Sequence, residues 1–252
     1  MKIKFVEPVN DVNRLFCEVC GTIYFDRIPP IAPVYDIDYN LHFFRMGDIK
    51  KAGIMATKIA EVASVFYEKP DILEAGTGNG MTVFLLRAMG FNAIGLDIDR
   101  KLTDYLQDRF NIPIGTGKFE DMPINGRFDI IYSSHVIEHC LDPHKFFNQA
   151  YNLLRPGGMF ILDTPDTQYY DKGRGRWHHF ETRNPYEHCC LLGKKGINIL
   201  ADESNFEVSY LRPKALYMSI LGIMVKGRLK VAKTIDSFAG NEILQGIRAR
   251  QF

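Results

Sequence analysis

The segment Asp71-Ile-Leu-Glu-Ala-Gly-Thr-Gly-Asn-Gly80 places three glycines, Gly76, Gly78 and Gly80, just behind an acidic residue, Glu74. A short apolar run ends at Glu74-Ala75 and a helix-periodic stretch begins at Met81, so the glycines join a strand to a helix. Glycine permits a tight turn and a close approach of ligand to backbone. Two ligand classes compete for such a loop. A dinucleotide site follows G-x-G-x-x-G, which sets a pyrophosphate on the helix N-terminus. Counted from Gly76, the third glycine should fall where Met81 stands. Glu74 weighs the same way, because a carboxylate at the strand end repels pyrophosphate and attracts a cation. An amino-acid ammonium beside a sulfonium is such a cation, and S-adenosylmethionine carries both with no phosphate. Asp97 closes a second apolar run, Asn92–Asp97, 23 residues after Glu74. A carboxylate at about that distance accepts hydrogen bonds from ribose hydroxyls. The bland alternative is that both acids merely cap loops; their order and their shared place at strand ends favour binding.

A second group is His135-Val-Ile-Glu-His139. On a helix, His135, Glu138 and His139 share one face at i, i+3 and i+4. The text matches the H-x-x-E-H metalloprotease pattern, but it directly follows a strand of a nucleotide-type sheet, which is the wrong setting. Three roles stay open: capping and orientation of the cofactor loop, a divalent metal held by the three side chains, and a general base. Histidine is the natural base near neutral pH, and His139, His188 and His135 are the candidates. No metal is assigned to the site. The stretch 164–192 is dense in Tyr169, Tyr170, Arg174, Arg176, Trp177, His178, His179, Phe180, Glu187 and His188. A loop that long is functional or self-packed, and its aromatic and basic groups suit a planar or anionic acceptor. Cys140, Cys189 and Cys190 are expected as buried small apolar groups.

These residues need a frame. Ala52, Met55, Ala56, Ile59, Val62, Ala63 and Phe66 recur at helical spacing after an N-cap candidate, Asp48. Short apolar runs follow at 72–75, 93–96, 112–114, 128–132 and 159–162, separated by helical stretches at 81–89, 100–110, 135–140 and 143–154. A last helix, about 194–204, and a strand, 206–211, come after the long loop. The alternation predicts an α/β fold with a doubly wound parallel sheet. Residues 1–48 are expected as an irregular N-terminal extension, with 49–252 as the main domain.

Four stretches, in this order, resemble the class I S-adenosylmethionine-dependent methyltransferases: LEAGTGNG (73–80), GLDID (95–99), GKFEDMP (117–123) with FDIIYSSHVIEH (128–139), and LLRPGGMFILDTPD (153–166). More narrowly they resemble the small-molecule group that includes ubiquinone-biosynthesis O-methyltransferases. The resemblance implies a mostly parallel seven-stranded Rossmann-like sheet and an enzyme using S-adenosyl-L-methionine, with S-adenosyl-L-homocysteine as product. It implies that Glu74, Ala75, Gly76 and Gly78 line the methionine part and that Asp97 holds the ribose. Ile98 would lie on the adenine face, Phe119 and Glu120 at the adenine edge, and Ser133 and Ser134 beneath the methionine group. Lys118 stands where the family often has Asp, so Glu120 or Asp121 takes over the adenine amino contact. Metal-dependent relatives have Glu where this chain has His135. Cys17-Glu-Val-Cys-Gly21 with Tyr24 resembles half a zinc ribbon, but a structural zinc needs four ligands and residues 1–16 contain neither Cys nor His. A small apolar hairpin is the alternative.

Composition sets outer bounds. The 252 residues carry 31 basic and 30 acidic side chains, a net charge of +1 that gives no global pull on nucleic acid. Five cysteines, an odd number in a mid-sized chain, fit a reducing compartment, and residues 1–10 lack the apolar core of a signal peptide. A cytoplasmic protein is expected. From 211 to 252 eight basic residues face only Asp236 and Glu242. Ala215–Val225 with this basic tail reads either as the closing strand plus a solvated basic helix or as an amphipathic helix in weak contact with an anionic membrane surface. The expected activity is methyl transfer to a small-molecule acceptor, at a hydroxyl oxygen. The rivals are a macromolecular methyltransferase acting on RNA, protein or polysaccharide, a nicotinamide oxidoreductase, and a non-catalytic cofactor-binding module.

Overall fold

The computed structural model describes residues 3–9, 12–27, 46–123, 127–167, 188–211 and 219–227. Helix α1 (Met46–Phe66) is followed by β4 (Asp71–Ala75), α2 (Met81–Ala88), β5 (Asn92–Asp97), α3 (Arg100–Phe110), β6 (Ile114–Thr116), β7 (Phe128–Ser134), α4 (Pro143–Leu153) and β8 (Leu154–Pro165). After these come β9 (Cys190–Leu191), α5 (Lys194–Glu203), β10 (Glu207–Leu211) and β11 (Ser219–Val225), and before them stand β1 (Ile3–Val9), β2 (Val12–Cys17) and β3 (Ile23–Phe25).

Seven strands form the main sheet in the order β10-β11-β8-β7-β4-β5-β6. The pairs β4–β5, β4–β7, β5–β6 and β7–β8 are parallel, and β11 runs antiparallel to both its neighbours. Parallel strands must be covered on both faces, so their residues are apolar without alternation. Successive side chains still point to opposite faces. Ile72, Ile130, Met159 and Ile161 join one core with α1, α2 and α3. Leu73, Ile131, Phe160 and Leu162 join the other, with Phe146 and Phe147 of α4 and Ile197 and Leu200 of α5.

Helix ends follow local chemistry. The Asp99 carboxylate accepts the Lys101 and Leu102 amides at the start of α3, and Asn111 ends that helix at φ 50°. Asp142 accepts the Lys145 amide ahead of α4, with proline at N1. From β4 the chain moves outward through β5 and β6, then returns to the other side of β4 as β7. The switch in direction opens a crevice beyond the carboxyl ends of β4 and β7, where ligands of such sheets bind.

Two expectations need correction. The N-terminal extension is not irregular: β1, β2 and β3 form an antiparallel sheet closed by β9, in the order β1-β2-β3-β9. The alternation there is short, and the partner of β3 lies far along the chain, with Tyr24 opposite Cys190. The stretch 135–140 is not an α-helix. Its central residues, Ile137–His139, make one 3-10 turn, and His135 sits at φ 54°, a left-handed conformation that stops a helix from starting there. Of the two readings of Ala215–Val225, the closing strand is the one found: Ser219–Val225 lies between β8 and β10, and Leu221–Val225 are buried. No helix among the described residues is long and apolar enough to cross a membrane. Tyr169 to Glu187, and the tail from residue 228 on, lie outside the described residues.

Candidate functional site

The glycine loop hugs the end of β5. The Gly76 and Thr77 amides donate to the Leu96 carbonyl at 2.8 and 3.1 Å, and the Gly78 amide donates to Asp97 Oδ2 at 2.9 Å. Gly76 has φ 75°, and a Cβ there would overlap the Val136 side chain. Both the turn and the tight packing therefore require glycine. Asp97 binds the loop on one side and accepts the Asp99 amide through Oδ1 at 3.1 Å on the other. Burial raises the Asp97 carboxyl above the usual range, against the pull of the Asp99 and Gly78 amides.

Glu74 is only 5% exposed. Burial pushes its carboxyl up to about 8, despite hydrogen bonds from Thr82 and Val83 in the first turn of α2, with Asp97 adding repulsion. Its Oε2 has no hydrogen-bond partner among the described residues. A buried carboxylate oxygen without a donor costs free energy unless a cation or donor meets it. Ser133, opposite Ala75 in the sheet, is fully buried, and its hydroxyl also lacks a partner among the described residues. Ile98 is 52% exposed, an apolar side chain left on the surface beside the crevice. The Phe119 ring turns inward onto Phe146, with centroids 4.6 Å apart, and Glu120 follows half-buried.

The turn after β7 is the other wall. Ser134 Oγ donates to Asp163 Oδ2 at 2.8 Å, and the His135 amide donates to the Asp163 carbonyl at 2.8 Å. The His135 ring lies between two buried acids, with Nδ1 3.2 Å from Glu138 Oε1 and Nε2 3.7 Å from Asp163 Oδ2. Glu138 also accepts the Thr164 hydroxyl at 3.0 Å. Burial alone would raise Glu138, but the His135 hydrogen bond and the charges of His135, His139 and His188 hold its carboxyl down at about 2.

His139 and His188 meet edge to face with ring centroids 4.9 Å apart. Ligand atoms of Glu138, His139 and His188 lie within 4.8 Å of one another, the only such group of three or more among the described residues. The crevice thus brings together Glu74, Ala75, Gly76, Gly78, Asp97, Ser133 and Ser134, with His135, Glu138 and His139 on its far wall. His188 arrives from 49 residues further on, carried by the strand that pairs with the N-terminal sheet. Sequence reasoning missed Lys51, whose Nζ lies 3.2 Å from Asp163 Oδ2, and missed Asp163 itself. A buried acid at the end of the last parallel strand was a signal that could have found Asp163; Lys51 has none.

Residues 49–211 match a family model described as a methyltransferase domain. A probable S-adenosylmethionine-dependent methyltransferase of Mycolicibacterium smegmatis is 30% identical over 140 residues, 55% of this chain and 52% of that protein. A ubiquinone biosynthesis O-methyltransferase of Paramagnetospirillum magneticum is 26% identical over 154 residues, 53% of this chain and 61% of that one. The chain spans about half the length of the first of these curated relatives. Among solved structures, the CurJ carbon methyltransferase superposes with a TM-score of 0.59 at 18% identity, covering 77% of this chain and 59% of that one. That likeness concerns the fold alone.

Proposed function

Since the family model takes in more than half of its residues, the chain belongs to the methyltransferase domain family, and from that premise we propose an S-adenosylmethionine-dependent methyltransferase acting on a small molecule at a hydroxyl oxygen. The observation that carries the cofactor is Glu74: a nearly buried carboxylate with one oxygen lacking a donor, at the switch point of the sheet. S-adenosylmethionine supplies an already activated methyl group when bound, so the protein's work is alignment and exclusion of water.

The residues present fit that ligand. Glu74 would meet the ammonium, the Gly76–Gly78 backbone the methionine chain, and Ser133 and Ser134 its underside. Asp97, at the end of β5, would hold the ribose hydroxyls, Ile98 the adenine face, and Glu120 the adenine edge. The Phe119 ring is turned into the core, so its part in the reading reduces to holding that turn. On the acceptor side, His139 or His188, whose rings pair edge to face, would take the hydroxyl proton in its neutral form. His135 is the weakest base candidate, because each of its nitrogens already faces a carboxylate. The hydroxyl assignment draws support from the O-methyltransferase named among the relatives. The division into an extension, 1–48, and a catalytic domain from 49 accords with where the family match begins.

A second reading rests on the cluster of Glu138, His139 and His188. One carboxylate and two imidazoles would suit a divalent cation on the acceptor side, and the two histidines would then be ligands rather than bases. Cys17 and Cys20 have no third ligand nearby among the described residues, which favours a hairpin over a zinc site there.

Calorimetric titration of the chain with S-adenosylhomocysteine tests the cofactor. We expect one site, weakened by about 1–3 kcal/mol in Glu74→Gln and in Asp97→Asn. Unchanged affinity in both variants refutes the roles assigned. Titration with magnesium, manganese and zinc chlorides, in wild type and His188→Gln, separates base from ligand: heat that vanishes in the variant supports the metal.

A further inference from the structure

Asp163 lies in the LLRPGGMFILDTPD stretch but carries none of the roles assigned so far, yet it holds the wall of the crevice together. It lies at the carboxyl end of β8, where its backbone pairs with Ser134 on one side and Leu221 on the other. That double pairing fixes it in the sheet. The side chain is fully buried, and one oxygen, Oδ2, gathers three neighbours: the Ser134 hydroxyl at 2.8 Å, Lys51 Nζ at 3.2 Å and His135 Nε2 at 3.7 Å. Its carbonyl takes the His135 amide. The next residue, Thr164, donates to Glu138. Asp163 and Thr164 thereby hold the 134–139 turn at both ends.

The turn needs holding. His135 is left-handed, a conformation costly for a residue with a side chain. Val136 packs where a Cβ of Gly76 would be, so the turn is the direct neighbour of the glycine loop. A shift of the turn moves the cofactor crevice.

We propose that Asp163 is a positioning residue, and that its ion pair with Lys51 of α1 locks the 134–139 turn against the cofactor loop. It acts through Ser134, His135 and Val136. Lys51 is 38% exposed and Asp163 not at all. Because the Lys51 ammonium is partly exposed, water takes over part of its interaction with the carboxylate when the lysine is removed, so the loss falls on the position of the turn more than on global stability. The inference rests on the S-adenosylmethionine reading of the crevice.

The test is S-adenosylhomocysteine titration of the full chain as wild type, Asp163→Asn, Lys51→Met, Lys51→Arg and the Asp163→Asn/Lys51→Met double variant. Melting temperatures without ligand are recorded for each. Asp163→Asn keeps an acceptor oxygen for Ser134, removes the charge and turns the other oxygen into an NH2 donor. Each of the two charge-removing single variants is expected to weaken binding about three- to thirtyfold. The double variant is expected to be no weaker than the worse single one, because the two changes remove one shared interaction. Lys51→Arg keeps the charge and should bind within about threefold of wild type. Unliganded melting temperatures should stay within about 3 °C of each other. Unchanged affinity in both single variants, additive losses, no rescue by arginine, or losses that track the melting temperature would each overturn the proposal. A wild-type chain that binds no S-adenosylhomocysteine rejects the cofactor reading; one that binds while Asp163→Asn and Lys51→Met stay unchanged rejects the positioning role alone.

Discussion

In the proposed site, Glu74 should set both the affinity and the pH response of the crevice. Its carboxyl, raised to about 8 by burial, is largely protonated at pH 6. A cationic group on the ligand favours the ionised form, so binding must expel that proton from nearly every site at pH 6 and from about half of them at pH 8. S-adenosylhomocysteine affinity is therefore expected to rise between pH 6 and pH 8, with proton release shrinking over the same span, and Glu74→Gln should flatten both. Titrations in buffers of different ionisation enthalpy would show this, and a wild-type affinity that falls toward pH 8 would contradict it. The stability effect has the opposite sense: a carboxyl raised on folding favours the native state at low pH, and that contribution is lost as pH rises from the unfolded value toward about 8. Gly76→Ala should lower both melting temperature and affinity, because the new methyl meets Val136 in a backbone conformation that disfavours it. Glu74, the glycines and Asp97 were legible in the sequence because strand ends and a short loop place them with no help from distant chain. The pairing of Lys51 with Asp163 was not, since 112 residues separate them and only the packing of α1 over the sheet brings them together.

Among the elements, the parallel strands and their helices could be read from periodicity, since buried strands give continuous apolar runs and the helices between them repeat at helical spacing. The 134–139 turn could not. Its i, i+3, i+4 spacing suggested a helix, while the hydrogen bond from the His135 amide to Asp163 selected a left-handed residue instead. The N-terminal sheet was equally hidden, because β3 finds its partner in β9. That pairing ties the first strands to His188, two residues before β9. At Gly193 a Cβ would lie 2.7 Å from the Gly21 carbonyl and 2.9 Å from Thr167 Oγ1. Gly193→Ala should push the β2–β3 hairpin away and loosen β9, seen as faster amide exchange at Leu191 and Leu192; unchanged exchange would mean that the hairpin does not brace the strand. On the other face, Phe146 is fully buried against Phe119 and Phe160. Phe146→Ala should cost about 3–5 kcal/mol in denaturant unfolding, and a loss below about 1 kcal/mol would show a core looser than the packing implies.

Across the whole molecule, charge is near balance, but at the crevice it is not. Glu74, Asp97, Glu138 and Asp163 converge at the carboxyl ends of neighbouring strands, three of them at most 5% exposed. Glu138 and Asp163 already face His135 and Lys51, so in the proposed site Glu74 and Asp97 are the acids that would favour a positive ligand over a phosphorylated one. The same fold class serves dinucleotides elsewhere, so the choice rests on these side chains and not on the sheet. The most direct measurement is a pair of calorimetric titrations on the same preparation, one with S-adenosylhomocysteine and one with NADH. Saturable binding of the first, lost or sharply weakened in Glu74→Gln, and no heat from the second is the predicted outcome. Saturable binding of NADH, or of neither compound, would contradict it.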